Sequence, residues 1–299
     1  ALRLREAGWS VRVVADRPPA GSTSYLAAAI WFPTRVGPRE RVLDWGRRTY
    51  VVLAEQAALG VPGVLMRESL ALYRRPPDQP WWAEAVGGVR PARPAELPPG
   101  YRYGLRFVVP LVVMPVHLPW LLARFEAAGG TVEYRRLDSL TGGTGGTPGP
   151  ADLVVNCAGL GARRLAADPS VIPVRGQIVR VANPGLTLSI RDEEHPAGRA
   201  YVHPRQTDCI LGGTLEENNW NAEPDPETAR AIVARCVDLA PALRDVEVLE
   251  HIVGLRPARP TVRLEIDPDH PSLIHNYGHG GAGITLCWGC AEDVVALTH

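Results

Sequence analysis

The chain has 299 residues, 45% of them hydrophobic, enough to bury a sizeable core and to divide into two domains. Its formal charge is zero, with 32 basic and 32 acidic residues, so no general field draws it to nucleic acid or an anionic membrane. Every residue in the basic count is arginine, and the lack of lysine excludes Schiff-base chemistry and a P-loop lysine.

The longest apolar run, Phe107 to Val116, is broken by Pro110 and Pro115 and is too short to span a bilayer. No signal-peptide pattern opens the sequence. Cys157, Cys209, Cys236, Cys287 and Cys290 are odd in number and irregularly spaced, which argues for a reducing, cytoplasmic setting. Cys287 and Cys290 have redox or zinc spacing but no second pair, and read as small apolar side chains entering a helix.

In chain order, Ala1 to Ala7 reads as helix closed by Gly8, and Ser10 to Ala15 as strand with Asp16-Arg17 at its end. Helix, glycine, strand and terminal acid form the second half of a dinucleotide-binding unit, in which Asp16 would meet a ribose hydroxyl. An ordinary turn acid is the alternative there. The strand and G-x-G-x-x-G turn that should come first are not in the sequence, which reads as starting inside the unit. Gly21-Ser22-Thr23-Ser24 offers hydroxyls and N–H groups before a predicted helix at Ala27 to Trp31, suiting either phosphate binding or plain N-capping.

Helical spacing covers Asp44 to Leu59, residues 76–99 read as irregular, and 101–116 hold strand patterns. Pro119 to Ala128 reads as helix closed by Gly129-Gly130, and Thr131 to Arg135 as strand. Gly142 to Gly149 lacks strand-to-helix order and reads as a flexible surface hairpin. Ala151 to Ala162 is a buried parallel strand running into a glycine turn that opens a helix. Strands follow at 175–181, 199–204 and 208–214, then a helix at Pro226 to Leu239. His251 to Pro260 reads as a strand ending in a proline-stiffened turn that presents Arg256 and Arg259. Last come a short strand, Ser272 to Ile274, a glycine run from Gly278 to Gly283, and a predicted helix at Ala291 to Leu297. Glycines between a strand and a helix let backbone N–H groups approach an anion or a planar ring.

Taken together these pieces resemble the D-amino-acid oxidase family of flavoenzymes. The matching motifs are Ala15-Asp16-Arg17, Ser22-Thr23-Ser24 with Ala27-Ala28 and Trp31, Val155-Asn156-Cys157-Ala158-Gly159, Arg175-Gly176-Gln177, and Leu211-Gly212-Gly213. Gly254-Leu255-Arg256-Pro257 with Arg259-Pro260 and His275 to Gly283 running to Trp288-Gly289-Cys290 complete them. The resemblance implies a mixed α/β fold: a doubly wound FAD-binding domain (1–35, 131–168 and 265–299) and an interleaved mixed-sheet substrate domain (36–130 and 169–264). It implies FAD as cofactor and oxidation of a D-amino acid by hydride transfer, with O₂ as partner, giving a 2-oxo acid, ammonia and hydrogen peroxide. A homodimer is compatible with it.

By the same resemblance Arg256 and Tyr201 bind the substrate carboxylate and the Gly281 carbonyl accepts from its amine. Asp16, Arg17, Ser22, Thr23, Ser24, Leu137, Ala158 and the run Gly280, Gly281, Ala282, Gly283, Ile284 and Thr285 line the FAD site. Planar arginine suits a carboxylate because it donates two parallel hydrogen bonds. Departures from the family pattern are Ala197, where a second tyrosine is common, Phe32 in place of Gln and Ala158 in place of Thr. Without the first glycine turn, weak FAD retention is expected.

A neutral substrate is expected, because an acidic side chain would need its own cation. The candidates for one are Arg191 and Arg199, beside Asp192-Glu193-Glu194 that could neutralise them, and His203. Alternatives are oxidation of D-aspartate, glycine or sarcosine, or a silent carboxylate-binding fragment.

Overall fold

The computed structural model describes residues 1–33, 35–141 and 151–299. The Gly142 to Gly149 hairpin expectation lies outside the described residues. The elements in order are α1 (Leu2–Glu6), β1 (Arg12–Ala15), α2 (Thr23–Leu26), α3 (Arg39–Ala58), β2 (Val64–Tyr73), β3 (Val89–Pro91), β4 (Tyr103–Val112) and α4 (Met114–Ala127). They continue as β5 (Thr131–Tyr134), β6 (Val154–Asn156), α5 (Ala162–Leu165), β7 (Ile172–Ala182), β8 (Ser189–Asp192), β9 (Ala200–Pro204) and β10 (Asp208–Gly212). The last are β11 (Glu216–Glu217), α6 (Pro226–Leu239), β12 (Val248–Ile266), β13 (Leu273–His279) and α7 (Gly283–Ala296).

The fold is mixed α/β. An 11-stranded sheet runs in the order β3-β4-β2-β8-β9-β10-β7-β12-β13-β6, with β11 paired to β7. Most neighbours are antiparallel; β2–β8 and β13–β6 are parallel. A second, two-stranded sheet pairs β1 with β5 in parallel. Strand β12 joins the parts: its first half pairs with β7, its end with β13, with a register irregularity between Ala258 and Arg263.

Alternation along each strand gives this sheet two different faces. Leu72, Val181, Ile190, Val202 and Leu211 point back and pack on Ala229, Ile232, Cys236 and Leu239 of α6, which fall on one helical stripe. Asp225 caps that helix by accepting from the Thr228 N–H at 2.7 Å, with Pro226 in its first turn. The opposite, front face looks towards α2, α3 and α7.

Four sequence expectations shift. Ala27 to Trp31 is extended, because its backbone is satisfied by β4: Trp31 N donates to Pro110 O at 2.8 Å and Val112 N to Ala29 O at 2.9 Å. Helix α4 begins at Met114, with Pro115 in the first turn and Pro119 inside the helix. The turn expected at 257–260 is strand, since β12 continues to Ile266. Strand β13 runs on to His279, and α7 starts at Gly283 rather than Ala291. Low glycine propensity hid that start, but burial of Thr285, Leu286, Trp288 and Cys290 outweighs it.

Helices α3 and α7 pack backbone to backbone. Val42, Trp45, Thr49 and Leu53 form the buried stripe of α3, and the Thr49 hydroxyl accepts from Trp288 N and Gly289 N at 3.2 and 3.0 Å. A Cβ on Gly289 would stand 2.5 Å from Trp45 Cα. Gly289→Ala is therefore expected to cost about 1–3 kcal/mol by overpacking, and more if α7 cannot shift. Urea unfolding checks this; an unchanged midpoint would show the two helices part freely.

Candidate active site

Register places one row of residues across the front face. Ala71 lies opposite Arg191, Arg191 opposite Tyr201, Tyr201 opposite Gly212, Gly212 opposite Ile178 and Ile178 opposite Ile252. Directly opposed residues share a face and lie within side-chain reach. Two and four residues beyond Ile252, on the same face of β12, come Gly254 and Arg256; Gly254 faces Gly176 of β7.

The glycines in this array are where the two large polar side chains lie down. A Cβ on Gly212 would sit 2.0 Å from Tyr201 Cζ, and a Cβ on Gly176 2.0 Å from Arg256 Nη1. The Tyr201 ring therefore lies flat on β10 and the Arg256 guanidinium flat on β7. Arg256 Nη1 donates to Thr214 O at 3.3 Å, and its Cδ would be 3.4 Å from a Cβ on Gly281. Tyr201, Arg256 and Gly281, expected to act together, are brought together here. Arg259 is committed elsewhere, donating to Asp168 at 2.8 Å.

Burial pushes the Tyr201 phenol up, with Arg256 the largest opposing influence, so it stays protonated and can donate. His203 stacks on the Tyr201 ring at 4.7 Å and 14°, and its Nδ1 is 2.6 Å from Ser189 Oγ. Burial, reinforced by Arg191, holds His203 well below its usual pKa and hence neutral. His203 thus backs the tyrosine.

The expected cofactor residues gather at the carboxyl ends of the parallel strands, where open α/β sheets bind ligands. Asp16 and Arg17 follow β1, are exposed and pair with each other at 2.8 Å. Leu137 follows β5 and Ala158 follows β6; Arg164 of α5 ties these ends together through the carbonyls of Leu137 and Asp138. Gly280, Gly281 and Ala282 lead from β13 into α7, with Gly280 at φ +53°.

No side chain caps the 14-residue α7, and a Cβ on Gly283 would meet nothing within 4 Å, so its first amides face open space. That is a fit for an electron-rich ring or an anion at a helix N-terminus. Thr285 fixes the opposite wall: its hydroxyl accepts from Phe32 N at 3.0 Å and donates to Phe32 O at 3.2 Å. Thr23 donates to Leu255 O at 3.2 Å, while the Ser22 hydroxyl is used locally, donating to Pro19 O and accepting from Tyr25 N. Ser24 is exposed. Asp16 and Arg17 follow a strand of the separate small sheet, whereas Tyr201 and Arg256 lie in the 11-stranded one.

The connection 192–199 is tied down on the α6 side. Arg235 donates to the carbonyls of Arg199 and Ala197 at 3.0 and 3.3 Å, and His195 lies 3.3 Å from Asp238. A cleft of about 540 Å³ lined by Arg74, Tyr101, His195 and Ala197 lies there, away from the glycine-floored face.

A family model described as FAD dependent oxidoreductase, DAO, matches residues 1–297. The chain belongs to the DAO family of FAD-dependent oxidoreductases. It is an enzyme, and its cofactor is FAD. It is 55% identical over 300 residues to a D-amino-acid oxidase of Rubrobacter xylanophilus, covering 99% of this chain and 91% of that one. It is 44% identical over 302 residues to a D-amino-acid oxidase of Streptomyces coelicolor, covering 99% and 92%. Its structure resembles a glycine oxidase from Geobacillus kaustophilus with a TM-score of 0.83 at 18% identity, covering 99% of this chain and 90% of that one, a likeness of fold.

Two features of this DAO-family site escaped the sequence reading. One is the floor itself: Gly176, Gly212 and Gly254 were noted in motifs, yet a glycine inside a strand signals close approach of another group. The other is a buried chain behind the cofactor end. Asp267 Oδ2 is 2.8 Å from His275 Nε2, Asn156 Nδ2 is 3.2 Å from His275 Nδ1, and Asn156 Oδ1 accepts from Ala158 N at 3.1 Å. It couples β13 to the turn after β6. Gly212→Ala, which puts a methyl inside the Tyr201 ring, is expected to lower kcat/KM at least as far as Tyr201→Phe. A lost hydrogen bond to a carboxylate, about 1.5–3 kcal/mol, corresponds to roughly 10- to 150-fold. Unchanged steady-state kinetics in Gly212→Ala would mean the ring does not lie where described.

Proposed function

We propose that this chain oxidises D-amino acids to imino acids on the front face of its sheet, with O₂ as final acceptor and hydrogen peroxide, ammonia and a 2-oxo acid as products. The observation that carries this is the convergence of Arg256 and Tyr201, both laid flat on glycines, beside Gly281 at the entry to α7. The D configuration is supported by the likeness to the two D-amino-acid oxidases. We assign residues 1–35, 131–168 and 265–299 to the FAD part and 36–130 and 169–264 to the substrate part. The five cysteines are free thiols, which supports a reducing, cytoplasmic setting. No helix among the described residues is long and apolar enough to cross a membrane.

FAD, when bound, supplies the two-electron acceptor. Asp16, Ala158 and the amides of Gly280 to Thr285 would hold it, and the α7 dipole favours negative charge on it. Arg256 takes the α-carboxylate with two N–H groups, and Tyr201 adds a third donor from the neighbouring strand. The Gly281 carbonyl accepts from the substrate amine. With both ends of the substrate fixed, its Cα–H is aimed at the cofactor side, so orientation carries most of the rate. No group of this cluster serves as a base: Tyr201 is held protonated, and His203 stacks on its ring with Nδ1 engaged by the Ser189 hydroxyl at 2.6 Å. The amine therefore loses its proton to solvent before the Cα–H bond breaks.

Flavin-loaded protein is expected to release peroxide with D- but not L-amino acids. Arg256→Ala should lose on the order of several hundredfold or more in kcat/KM, since two charge-assisted bonds contribute about 1.5–3 kcal/mol each. Arg256→Lys should recover only part, because an ammonium cannot make the parallel fork. Near-normal turnover of Arg256→Ala would place the substrate elsewhere.

A further inference from the structure

Thr214 stands outside the proposed clamp, yet each of its polar groups is engaged and one of them holds Arg256. Among the described residues the only hydrogen bond from the Arg256 guanidinium goes to the Thr214 carbonyl, at 3.3 Å. A guanidinium has several N–H groups in a rigid plane, so one carbonyl fixes a corner of that plane and leaves the rest free. Tyr201 comes to the same place: a Cβ on Gly213, the preceding residue, would stand 3.0 Å from its hydroxyl.

The backbone that carries this carbonyl belongs to no strand. Strand β10 ends at Gly212 and β11 begins at Glu216, with Thr214 in the link between them. The link is pinned twice to Gln177 of β7: Thr214 N donates to Gln177 O at 3.2 Å, and the Thr214 hydroxyl accepts from Gln177 N at 2.9 Å. The hydroxyl proton goes to the Glu216 carboxylate. Burial acts to raise the Glu216 pKa, but hydrogen bonds from Thr214 and Asn219, together with Arg175, outweigh it and hold the carboxyl below its usual range.

Gln177 is itself fixed from behind. Its buried side chain accepts from Asp225 N at 2.9 Å and from Arg175 at 3.0 Å, and donates to Asp225 O at 2.6 Å. Asp225 is the N-cap of α6. A continuous path thus runs from the α6 cap through Gln177 and the Thr214 hydroxyl to the carbonyl that meets Arg256. Valine has the shape of threonine but would leave the Gln177 N–H unpaired, cutting this path at one atom.

We propose that Thr214 is a positioning residue for the substrate clamp: its hydroxyl holds the link against β7, so that its carbonyl sets the plane in which Arg256 meets the α-carboxylate. This rests on the activity proposed above. Without that stop the guanidinium keeps its charge but turns on its long stem, and the parallel alignment of two N–H groups with a carboxylate is lost. The carboxylate is held in ground state and transition state alike, so the loss falls on KM rather than kcat.

The test uses flavin-loaded wild type, Thr214→Val, Thr214→Ala and Thr214→Ser, each also combined with Arg256→Met. Pentanoate affinity is titrated through the flavin absorbance, and KM and kcat are measured with D-methionine. Thr214→Val and Thr214→Ala are expected to weaken pentanoate about 3- to 10-fold and to raise KM by a similar factor with little change in kcat. Thr214→Ser, which keeps the hydroxyl, should recover the affinity. With Arg256→Met the same substitutions should cost less than about twofold, because no guanidinium is left to position. The alanine variant is read in the same way as the valine one, so a misfolded Thr214→Val does not decide the matter. Equal losses with and without Arg256, or wild-type affinity in the valine and alanine variants, would overturn the proposal. Pentanoate binding that needs both Thr214 and Arg256, without oxidation of any D-amino acid, would uphold the positioning role and overturn the activity instead.

Discussion

The site depends on sheet positions that carry no side chain. Arg256 can lay its planar guanidinium along β7 only because nothing projects from Gly176 beneath it, and the Tyr201 ring occupies the volume that any Cβ at Gly212 would fill. Glycine in a strand interior costs roughly 0.5–1 kcal/mol against alanine. That cost is small beside a pair of charge-assisted hydrogen bonds, each about 1.5–3 kcal/mol. The binding strength of the front face is thus set by local weakness in the strands that floor it.

Such strands stay in register because their other face is dense. Leu72, Val179, Val181, Val202, Leu211 and the stripe of α6 form an apolar layer, so slipping any strand by one residue would exchange that layer with the polar front. Continuity of β12 does the rest. One strand carries Arg256 against β7 and, past its irregularity, pairs with β13, whose end launches α7. The proposed substrate clamp and cofactor cradle are therefore fixed to connected backbone, and Gly281 stands beside the stem of Arg256.

Much of this was legible beforehand. The helix read at Pro226 to Leu239 has those bounds in the structure, and Arg256, Tyr201 and the glycine run stand in motifs of the family that the sequence resembles. What was not legible has a common cause: tertiary contacts that override local propensity. Ala27 to Trp31 looks helical, but β4 takes its backbone bonds. Gly283 looks like a turn residue, but the buried Leu286, Trp288 and Cys290 recruit it into a helix. Asp192, one of three acids expected to neutralise Arg191, faces the other way along β8 and accepts from Arg74 and Tyr101 instead.

The lack of a side chain at Gly176 lets Arg256 lie flat, and carboxylate affinity reports on it directly. The affinity of an unreactive carboxylate such as pentanoate can be titrated through the flavin absorbance of wild type and Gly176→Ala. Equal flavin content is expected, with carboxylate affinity in Gly176→Ala reduced to near that of Arg256→Ala. Wild-type affinity in Gly176→Ala would contradict it, because the guanidinium would then not need the space that glycine leaves.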